Sequence, residues 1–417
     1  MKQIRPSSLE FQKITNRTAN RNLRVENRVR QIIEDVRLHG DDAVFRYTRK
    51  FDRVRLTPKT IRVSQAEASG AYQNISPTLV TQLKVVIENV TRFYRRQTVL
   101  QKSWKIRDQD GVLLGKKVMP LDVVGVYIPA GQAPLVSTVY MTVLPAQIAG
   151  VRRIIMVTPP KPDGSVDPHI LVVANLLKVD EIYKVGGAQA VAALSFGTKT
   201  IPRVDKIVGP GNDYVTEAKR QLFGVVDIDM VAGPSEVVIV ANERSNPAFV
   251  MSDLLAQAEH AMGLPILVTT SKKLARFVKK SEMRGYIIVV RNTEEAIEVV
   301  NQVAPEHVEI LIKNPNKWLR KIRHAGAIFL GPYSPAAVGD YYAGPSHVLP
   351  TRGTARFFSG LSVSEFVKSS TVISFSRKAL EKAILPIEEI TKLEGLKKHC
   401  DSVKIRFDQK EAGRVVS

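Results

Sequence analysis

The sequence predicts an α/β fold, and three observations support this prediction. From Val123 onward, short runs of β-branched residues alternate with segments of small and apolar residues that are long enough for crossover helices. Two glycine-rich turns, 185–189 and 209–212, each follow a predicted strand and open a predicted helix. At 417 residues, 44% of them hydrophobic, the chain can also bury a large core in two or more domains.

The part of the chain before Val123 is predicted to be mainly helical. Apolar residues recur at helical spacing over 23–36, and the Gly40-Asp41 pair ends this helix and begins another. Ser76-Pro77 has the residue types of an N-cap and a first helical position, so a third helix is expected there. Asp110-Gly111 lies between two apolar runs and predicts a hairpin turn.

The remaining elements follow one another as an α/β fold requires. Short β-branched runs predict strands at 154–158, 182–185, 206–208, 237–241, 266–269, 286–290, 308–312 and 403–407. Longer periodic segments predict helices at 137–149, 170–177, 188–195, 214–223, 293–302 and 379–396. Proline at 305 favours an extended conformation for Ala304, so Glu306 and His307 are expected in a turn before a strand.

The composition limits the classes of function. A net charge of +21 is compatible with nucleic-acid binding, but the Lys and Arg residues are spread along the chain and only 6% of residues are aromatic. An anionic cofactor or a highly charged surface explains this charge equally well. The sequence contains neither a bilayer-spanning apolar run nor a signal-peptide segment, and Cys400 is the only cysteine. We therefore expect a soluble cytoplasmic protein without internal disulfides.

The stretch LLAQAEH offers two potential metal ligands. Gln257 and His260 are three residues apart, so they lie on the same face of a helix, whereas Glu259 points elsewhere. Two ligands do not hold a metal ion by themselves. The alternative is that the helix ends before Gly263 and that His260 only caps its last turn.

Further polar residues stand in loop contexts typical of functional sites. A carboxylate next to an imidazole, at Glu306 and His307, suits proton transfer but is also common as a surface pair. Asp340 and His347 are expected in a loop rich in glycine and proline. Glu394 and His399 can converge only if their helix ends near Gly395. The two glycine-rich turns suit phosphate binding, or simply a tight connection between strand and helix.

Taken together, these stretches resemble histidinol dehydrogenases, and the resemblance covers nearly the whole chain. The motifs that carry it occur in the expected order: VRLHGDDAVFRYTRKFD, GVYIPAGQAP, VGGAQAVAALSFGT, VDKIVGPGNDYVTEAKR, IDMVAGPSEVVIVA, DLLAQAEH, APEHVE, VGDYYAGPSHVLPT and GLSVSEFVKSSTV. The sequence departs from the usual family pattern at Ala130, Asn242, Ser346 and in a shortened segment, 272–286.

The resemblance implies a set of site residues. One zinc ion per subunit would be bound by Gln257, His260, Asp340 and His399, with His399 supplied by the partner subunit of a homodimer. These ligands also border the substrate, which would further contact Ser235, Glu306, His307, His347 and Glu394. NAD would contact Tyr127, Gln189 and Asn212.

The implied reaction is the oxidation of L-histidinol to L-histidine through bound L-histidinaldehyde, with two NAD used in succession. In this reaction His307 would take the hydroxyl proton, and Glu306 would activate the water that hydrates the aldehyde. Three alternatives remain open at this stage. They are a related zinc and NAD enzyme for another small alcohol such as a sulfonated diol, a basic nucleic-acid-binding protein, and a structural zinc protein.

The resemblance also implies an architecture. It predicts two Rossmann-like lobes of the aldehyde-dehydrogenase type, with N- and C-terminal extensions, in a domain-swapped homodimer. The expected parts are an N-terminal arm at 1–22, a discontinuous lobe at 23–124 and 235–360 with the zinc and catalytic residues, an NAD-binding lobe at 125–234, and a C-terminal extension at 361–417 that contributes to the partner's site.

Overall fold

The chain folds into two compact units. The computed structural model describes residues 1–17, 22–131, 133–179, 181–260 and 262–408. The larger unit comprises Met1–Thr98 and Pro120–Phe366, and the smaller unit comprises Val99–Met119 and Val367–Ser417. Residues 18–21 of the predicted arm and residues 409–417 of the predicted extension lie outside the described residues.

Strands and helices alternate through most of the larger unit. The strands are β1 (Lys2–Ile4), β2 (Trp104–Arg107), β3 (Leu113–Pro120), β4 (Val123–Tyr127), β5 (Arg153–Thr158), β6 (Glu181–Lys184), β7 (Lys206–Val208), β8 (Asp227–Ile228), β9 (Glu236–Ala241), β10 (Leu264–Thr269), β11 (Tyr286–Val289), β12 (His307–Ile310), β13 (Ala327–Leu330) and β14 (Val367–Ser374). The helices are α1 (Leu9–Thr15), α2 (Leu23–His39), α3 (Asp41–Phe51), α4 (Gln65–Gly70), α5 (Pro77–Gln97), α6 (Val136–Ala149), α7 (Pro168–Leu176), α8 (Gly187–Phe196), α9 (Asp213–Leu222), α10 (Pro247–Ala258), α11 (Lys272–Lys279), α12 (Thr293–Val303), α13 (Asn316–Leu319), α14 (Ala336–Tyr341), α15 (Arg377–Leu393) and α16 (Lys397–Lys404). The predicted α/β class is confirmed.

A five-stranded parallel sheet, in the order β6-β5-β4-β7-β8, forms the first half of the larger unit's core. Alternate residues of β5 point to opposite faces, so Ile155 and Val157 pack in a cluster with α2 and α8, whereas Met156 packs with α6 and α7. Both faces are covered, which explains the continuous apolar runs in the sequence. Helix α2 therefore packs on this sheet; the predicted lobe boundaries stay a prediction.

A six-stranded parallel sheet, in the order β1-β11-β10-β9-β12-β13, forms the second half of that core. Every residue of β9 is buried, with Val238 and Val240 in one cluster and Val237 and Ile239 in another. In this sheet His307, the first residue of β12, stands beside Val237. The amino ends of β9 and β12 therefore meet at one edge.

The smaller unit contains a three-stranded sheet in the order β14-β3-β2, in which β2 and β3 are antiparallel, followed by α15 and α16. Residues 108–112 connect β2 to β3, and Gly111 has a φ of +85° in the turn, so the predicted hairpin is confirmed. None of the described helices combines the length and the apolar character that a bilayer crossing requires.

Three local predictions are wrong. Residues 403–407 form the end of α16 and a following turn rather than a strand, because local hydrogen bonds such as Ile405 N to Asp401 O outweigh β-branched propensity. Ala304 is left-handed (φ +48°, ψ +62°) rather than extended, since it ends α12 by donating to Val300 O. Asp340 lies on the short helix α14 rather than in a loop.

Candidate active site

Glu306 and His307 lie side by side where α12 gives way to β12. Their side chains are buried, with only 6% and 3% of the residue surface exposed. The interpretation as an ordinary surface pair is therefore wrong. Ser235 Oγ and the backbone N–H of Glu236, at the start of β9, both donate to Glu306 Oε2, at 2.6 and 2.8 Å. The carboxyl group thus has a fixed orientation.

The imidazole of His307 is fixed by the same strand. Its Nδ1 lies 3.1 Å from the carbonyl oxygen of Glu236, which can only accept, so Nδ1 carries a proton. Its Nε2 is 3.3 Å from Asp340 Oδ1 without hydrogen-bond geometry. Burial lowers the pKa of His307, but the charge of Glu306 and the contact with Asp340 outweigh burial and raise the pKa to about 9.

The carboxyl group of Glu306 is also perturbed. Burial raises its pKa to about 7, although the charge of His307 and the two hydrogen bonds from Ser235 and Glu236 oppose this rise. The imidazole therefore holds its proton to a higher pH than the carboxyl group does. The pair has two groups that titrate near the pH range useful for proton transfer.

A cavity of about 540 Å³ borders His307, Asp340 and His347. His347 is half-buried; its Nδ1 donates to the backbone oxygen of Asp340 (3.0 Å), and its Nε2 accepts from Thr138 Oγ1 (3.2 Å). Burial lowers the pKa of His347 and keeps it neutral. In this structure Ser235 faces Glu306 and His347 faces Thr138, so their contacts with substrate stay a prediction.

Three of the predicted zinc ligands belong to the larger unit. Burial raises the pKa of Asp340, but the contact with His307 and the charge of His307 outweigh burial and lower that pKa. Gln257 lies in the last turn of α10 and is 6% exposed, with a buried amide nitrogen that has no hydrogen-bond partner in the described chain. His260 lies beyond the end of α10 at Ala258, so the expectation that it shares a helical face with Gln257 is wrong.

This donor set has the right chemistry for a divalent cation, although it is incomplete. A carboxylate, an imidazole and an amide whose orientation can be reversed are all ligand types for such ions. Within the described ranges, however, no group of three or more His, Cys, Asp or Glu side chains surrounds a common point. The residues of the larger unit therefore fit zinc in kind, and the complete site stays a prediction.

The other two predicted residues of the metal and substrate site belong to the smaller unit. Helix α15 ends at Leu393, Glu394 is its C-cap, and Gly395 reverses the chain with a φ of +68°. His399 then lies on α16. The helix break that Glu394 and His399 require is confirmed; their role in a site stays a prediction.

A larger cavity, of about 750 Å³, lies at the carboxyl end of the five-stranded sheet, and its volume is in the usual range for ligand pockets. Tyr127, Gln189 and Asn212 all line it. The hydroxyl oxygen of Tyr127 accepts from Gly187 N at 3.0 Å. Gln189 is buried with its Oε1 unpartnered among the described residues, and Asn212 Oδ1 caps α9. The sequence correctly grouped these three residues.

The two glycine-rich turns shape this larger cavity. Gly187 (φ +68°) opens α8, and Gly209 (φ +112°) leads into α9, so the amino ends of two helices lie beside the cavity. A Cβ atom on Gly209 would lie 2.3 Å from the backbone oxygen of Tyr127. Glycine is therefore required there for close approach of the backbone as well as for φ.

Sequence reasoning missed several buried charged residues that support these sites. Arg17 binds Glu236 with two parallel hydrogen bonds, Nε to Oε1 at 2.6 Å and Nη2 to Oε2 at 2.5 Å. Lys219 and Asp229 form a buried pair that holds both backbone groups of Gly209, at 2.9 and 2.7 Å. No local pattern marks them, because the partners are distant in sequence.

Asp52 is a further residue that the sequence did not single out. It lines the larger cavity, and its Oδ2 is buried without a hydrogen-bond partner in the described part of the chain. Burial raises its pKa to about 6. A carboxyl group of this kind tends to keep its proton in the folded protein.

Comparisons with known proteins agree with this arrangement. The family model described as histidinol dehydrogenase matches residues 15–407. Histidinol dehydrogenase of Listeria monocytogenes is 47% identical over 409 residues, covering 94% of this chain and 95% of the relative, and that of Halalkalibacterium halodurans is 49% identical over 402 residues, covering 92% and 94%. The crystal structure of histidinol dehydrogenase from Elizabethkingia anophelis superposes with a TM-score of 0.90 at 36% identity, covering 98% of each chain. This chain therefore belongs to the histidinol dehydrogenase family of oxidoreductases.

Proposed function

We propose that this chain oxidises L-histidinol to L-histidine through bound L-histidinaldehyde, with two NAD consumed in succession and one zinc ion per subunit. The observation that carries the proposal is the buried Glu306-His307 pair, which sits beside Asp340 at the smaller cavity. The relatives named histidinol dehydrogenase support the choice of substrate.

His307 serves as the base in the first oxidation. Its Nδ1–H is held by Glu236 O, so Nε2 is the atom that accepts the hydroxyl proton of the substrate. NAD, when bound, would supply the hydride acceptor for the carbon that carries this hydroxyl group. The charge of Asp340 helps to keep a proton on Nε2 in the free protein. The charge of this carboxylate would be neutralised by a zinc ion bound to Asp340. The pKa of His307 would then fall, and Nε2 would have a lone pair available to accept a proton.

Glu306 serves the second half of the reaction. The aldehyde must gain a water molecule before another hydride can leave, and a carboxylate that removes a proton from this water speeds the addition. Its pKa of about 7 suits this task at neutral pH. Glu306→Gln keeps an oxygen for the Ser235 and Glu236 donors, so oxidation of added L-histidinaldehyde should fall more than oxidation of L-histidinol. Equal losses in both half-reactions would contradict this division of roles.

The ligand assignments follow from the donor chemistry. Gln257, His260 and Asp340, with His399 of the partner, would hold zinc, which when bound supplies an anchor for the substrate nitrogens. Tyr127, Gln189 and Asn212 would contact NAD in the larger cavity. Arg352 supports the proposal that the NAD site and the zinc site are close together. Its side chain lies 3.7 Å from Asp213, which follows Asn212 of the larger cavity, while its backbone N–H donates to Oε1 of Glu236, which orients Glu306 and His307.

The assembly we propose is a homodimer of two Rossmann-like lobes per subunit, in which the C-terminal extension is exchanged. Glu394 and His399 would then complete the partner's site. Mixing His307→Asn subunits with His399→Asn subunits tests this, because a mixed dimer has one site with both residues intact. Partial return of activity is expected; no return on subunit exchange would place each site within one chain.

The decisive test counts NADH against product. Purified full-length protein with zinc, NAD and L-histidinol should form histidine and two NADH for each histidine. One NADH with released aldehyde would refute the two-step reaction. In parallel, His260→Asn and His399→Asn should each lower the zinc content, whereas the exposed His39→Asn should not.

A further inference from the structure

A buried glutamate outside the proposed reaction caps the helix that carries Asp340. Glu309 is two residues after His307 on β12, so both side chains leave the strand on the same face. It is 0% exposed, and its Oε1 accepts the backbone N–H of Ala336, the first residue of α14, at 2.7 Å. The N-cap of this helix, Pro335, makes no side-chain cap bond. Glu309 thus performs the capping role from the strand below.

The second oxygen of Glu309 faces another carboxyl group. Oε2 is buried without a hydrogen-bond partner in the described ranges, and the side chain of Asp253 on α10 lies within interaction distance. Asp253 precedes Gln257 by four residues, one helical turn, so both lie on one face of α10. Glu309 therefore lies between the helix that carries Gln257 and the helix that carries Asp340.

Two ionised carboxylates cannot hydrogen-bond to each other, because each only accepts. Burial and the charge of Asp253 together raise the pKa of Glu309 to about 8, and burial also raises the pKa of Asp253. A single proton between the two carboxyl groups removes the repulsion between their charges, reduces the cost of burying those charges and creates one strong hydrogen bond. Since Glu309 Oε1 is engaged by Ala336, Oε2 is the oxygen free to carry that proton.

We propose that Asp253 and Glu309 share one proton and act as positioning residues that set the spacing between Gln257 on α10 and Asp340 on α14. The inference rests on the proposed function, because it assigns the pair to the alignment of two proposed zinc ligands. Neither carboxyl group touches a reacting atom. The pair acts through the two helices that it joins.

Matched substitutions separate this role from a simple charge effect. Glu309→Gln keeps an oxygen for Ala336 N–H and places an N–H₂ group toward Asp253, so it imitates the protonated acid. Glu309→Ala removes both contacts. Asp253→Ala removes only the link to α10, at a half-buried position. The exposed Glu294 provides the controls Glu294→Gln and Glu294→Ala.

The probe is zinc alone, titrated into metal-free full-length protein in competition with a chelator, with thermal unfolding to verify folding. We expect Glu309→Gln to bind zinc like the unaltered chain, and Glu309→Ala to bind about 10- to 100-fold more weakly, as is usual when a group supporting a metal ligand is lost. Asp253→Ala should weaken binding in the same direction. If Glu309→Ala does not fold, the zinc affinity of Asp253→Ala still tests whether the pair positions the zinc ligands.

Infrared spectroscopy supplies a readout that a purely structural role would not move. The infrared difference spectrum between the unaltered chain and Glu309→Gln at neutral pH should contain the C=O stretch of a buried protonated carboxyl group. This band should persist in Glu306→Gln, which removes the other buried glutamate with a raised pKa. A missing band in the unaltered chain, or zinc binding by both alanine variants that matches it, overturns the inference. Failure of the unaltered chain to bind zinc instead overturns the proposed metal site, while the band still reports the shared proton.

Discussion

The two parallel sheets of the larger unit present their functional residues at opposite ends. In the five-stranded sheet, Tyr127 ends β4 and Gly209 follows β7, so the larger cavity lies at the carboxyl ends of the strands. In the six-stranded sheet, Glu236 and His307 are the first residues of β9 and β12, so the proposed catalytic pair, Glu306 and His307, lies at the amino ends. Ligands in open α/β sheets usually bind at the carboxyl ends.

This difference explains how each site is built. At carboxyl ends, helices begin, and their amino termini together with glycine turns suit the binding of anions. At amino ends, helices finish, and no such donors are available. The amino ends of β9 and β12, which we call the catalytic edge because they carry the proposed catalytic pair, instead depend on buried side chains. Arg17 holds Glu236, and Glu236 orients Glu306 and His307 through its backbone. We therefore expect substitutions at the catalytic edge to lower activity and stability more than substitutions at the larger cavity.

The largest effect is expected at His307. His307→Asn keeps a side-chain donor for Glu236 O and removes Nε2, so kcat for L-histidinol should fall by about 10²- to 10⁴-fold, the usual contribution of a general base. Binding of NAD should not change, because the cofactor cavity is not lined by this residue. The exposed His39→Asn is the control. A kcat within a few-fold of the unaltered chain would remove His307 from the catalytic role.

Arg17 tests whether the catalytic edge depends on a buried charge pair. Arg17→Gln leaves the Glu236 carboxylate buried without its partner, which should lower the free energy of unfolding by about 3–5 kcal/mol. It should also lower kcat, since the backbone of Glu236 orients both catalytic groups. Denaturant unfolding and steady-state kinetics measure the two effects. The exposed Arg30→Gln, which breaks a pair with Glu26, should cost less than about 1 kcal/mol.

A double variant shows how Arg17 acts. Arg17→Met with Glu236→Leu replaces the pair by apolar side chains of similar volume, an exchange that often preserves stability. If the ion pair only secures the backbone of Glu236, this variant should recover both stability and kcat. Recovery of stability without kcat would show that the charges act on Glu306 and His307 directly.

The sequence predicted most of the fold because its elements are locally encoded. Capping residues marked α5, where Ser76 accepts from Leu79 N, and apolar periodicity marked α2. The prediction of a strand at 403–407 was wrong because β-branched propensity is a weak signal that helical hydrogen bonds override. Ala304 failed because proline excludes the right-handed conformation for the residue before it and leaves the left-handed one open to the end of a helix.

The same logic separates what could be predicted of the two sites. The glycine-rich turns beside the larger cavity could be recognised from the sequence, because φ angles and helix starts are local features, whereas the assignment of NAD to them rests on the family resemblance. The support of the catalytic edge could not be recognised, since Arg17 and Glu236 are 219 positions apart and neither stands in a recognisable motif. Asp253 and Glu309 are likewise joined only by the packing of α10 against the sheet. Long-range pairs of buried charges require the structure.

Gly209 tests the backbone-built site. In Gly209→Ala the new Cβ would meet the backbone oxygen of Tyr127 at 2.3 Å, so the turn must shift away from the cavity. We expect a loss of NAD affinity of about 1–3 kcal/mol, or tenfold to hundredfold in Kd. Gly224→Ala is the matched control, because Gly224 also has a positive φ (+99°) but open space around its Cβ position. Calorimetric titration with NAD that gave equal affinities for both variants would show that the shape of the 209–212 turn does not matter.

The smallest effect is expected at Asp52, in the same backbone-built cavity. Burial raises its pKa from 3.8 to about 6, so its contribution to stability is fully present below pH 3.8 and is lost as the pH rises through about 6. Asp52→Asn removes the need to bury a charge and should stabilise the chain above pH 6 by about 1 kcal/mol, a value reduced for the partial exposure of the side chain. The gain should shrink toward pH 5, whereas the exposed Asp122→Asn should show no such trend in urea unfolding. A gain that stayed constant at all pH values would mean that burial in this cavity does not raise the pKa of Asp52 above its value in the unfolded chain.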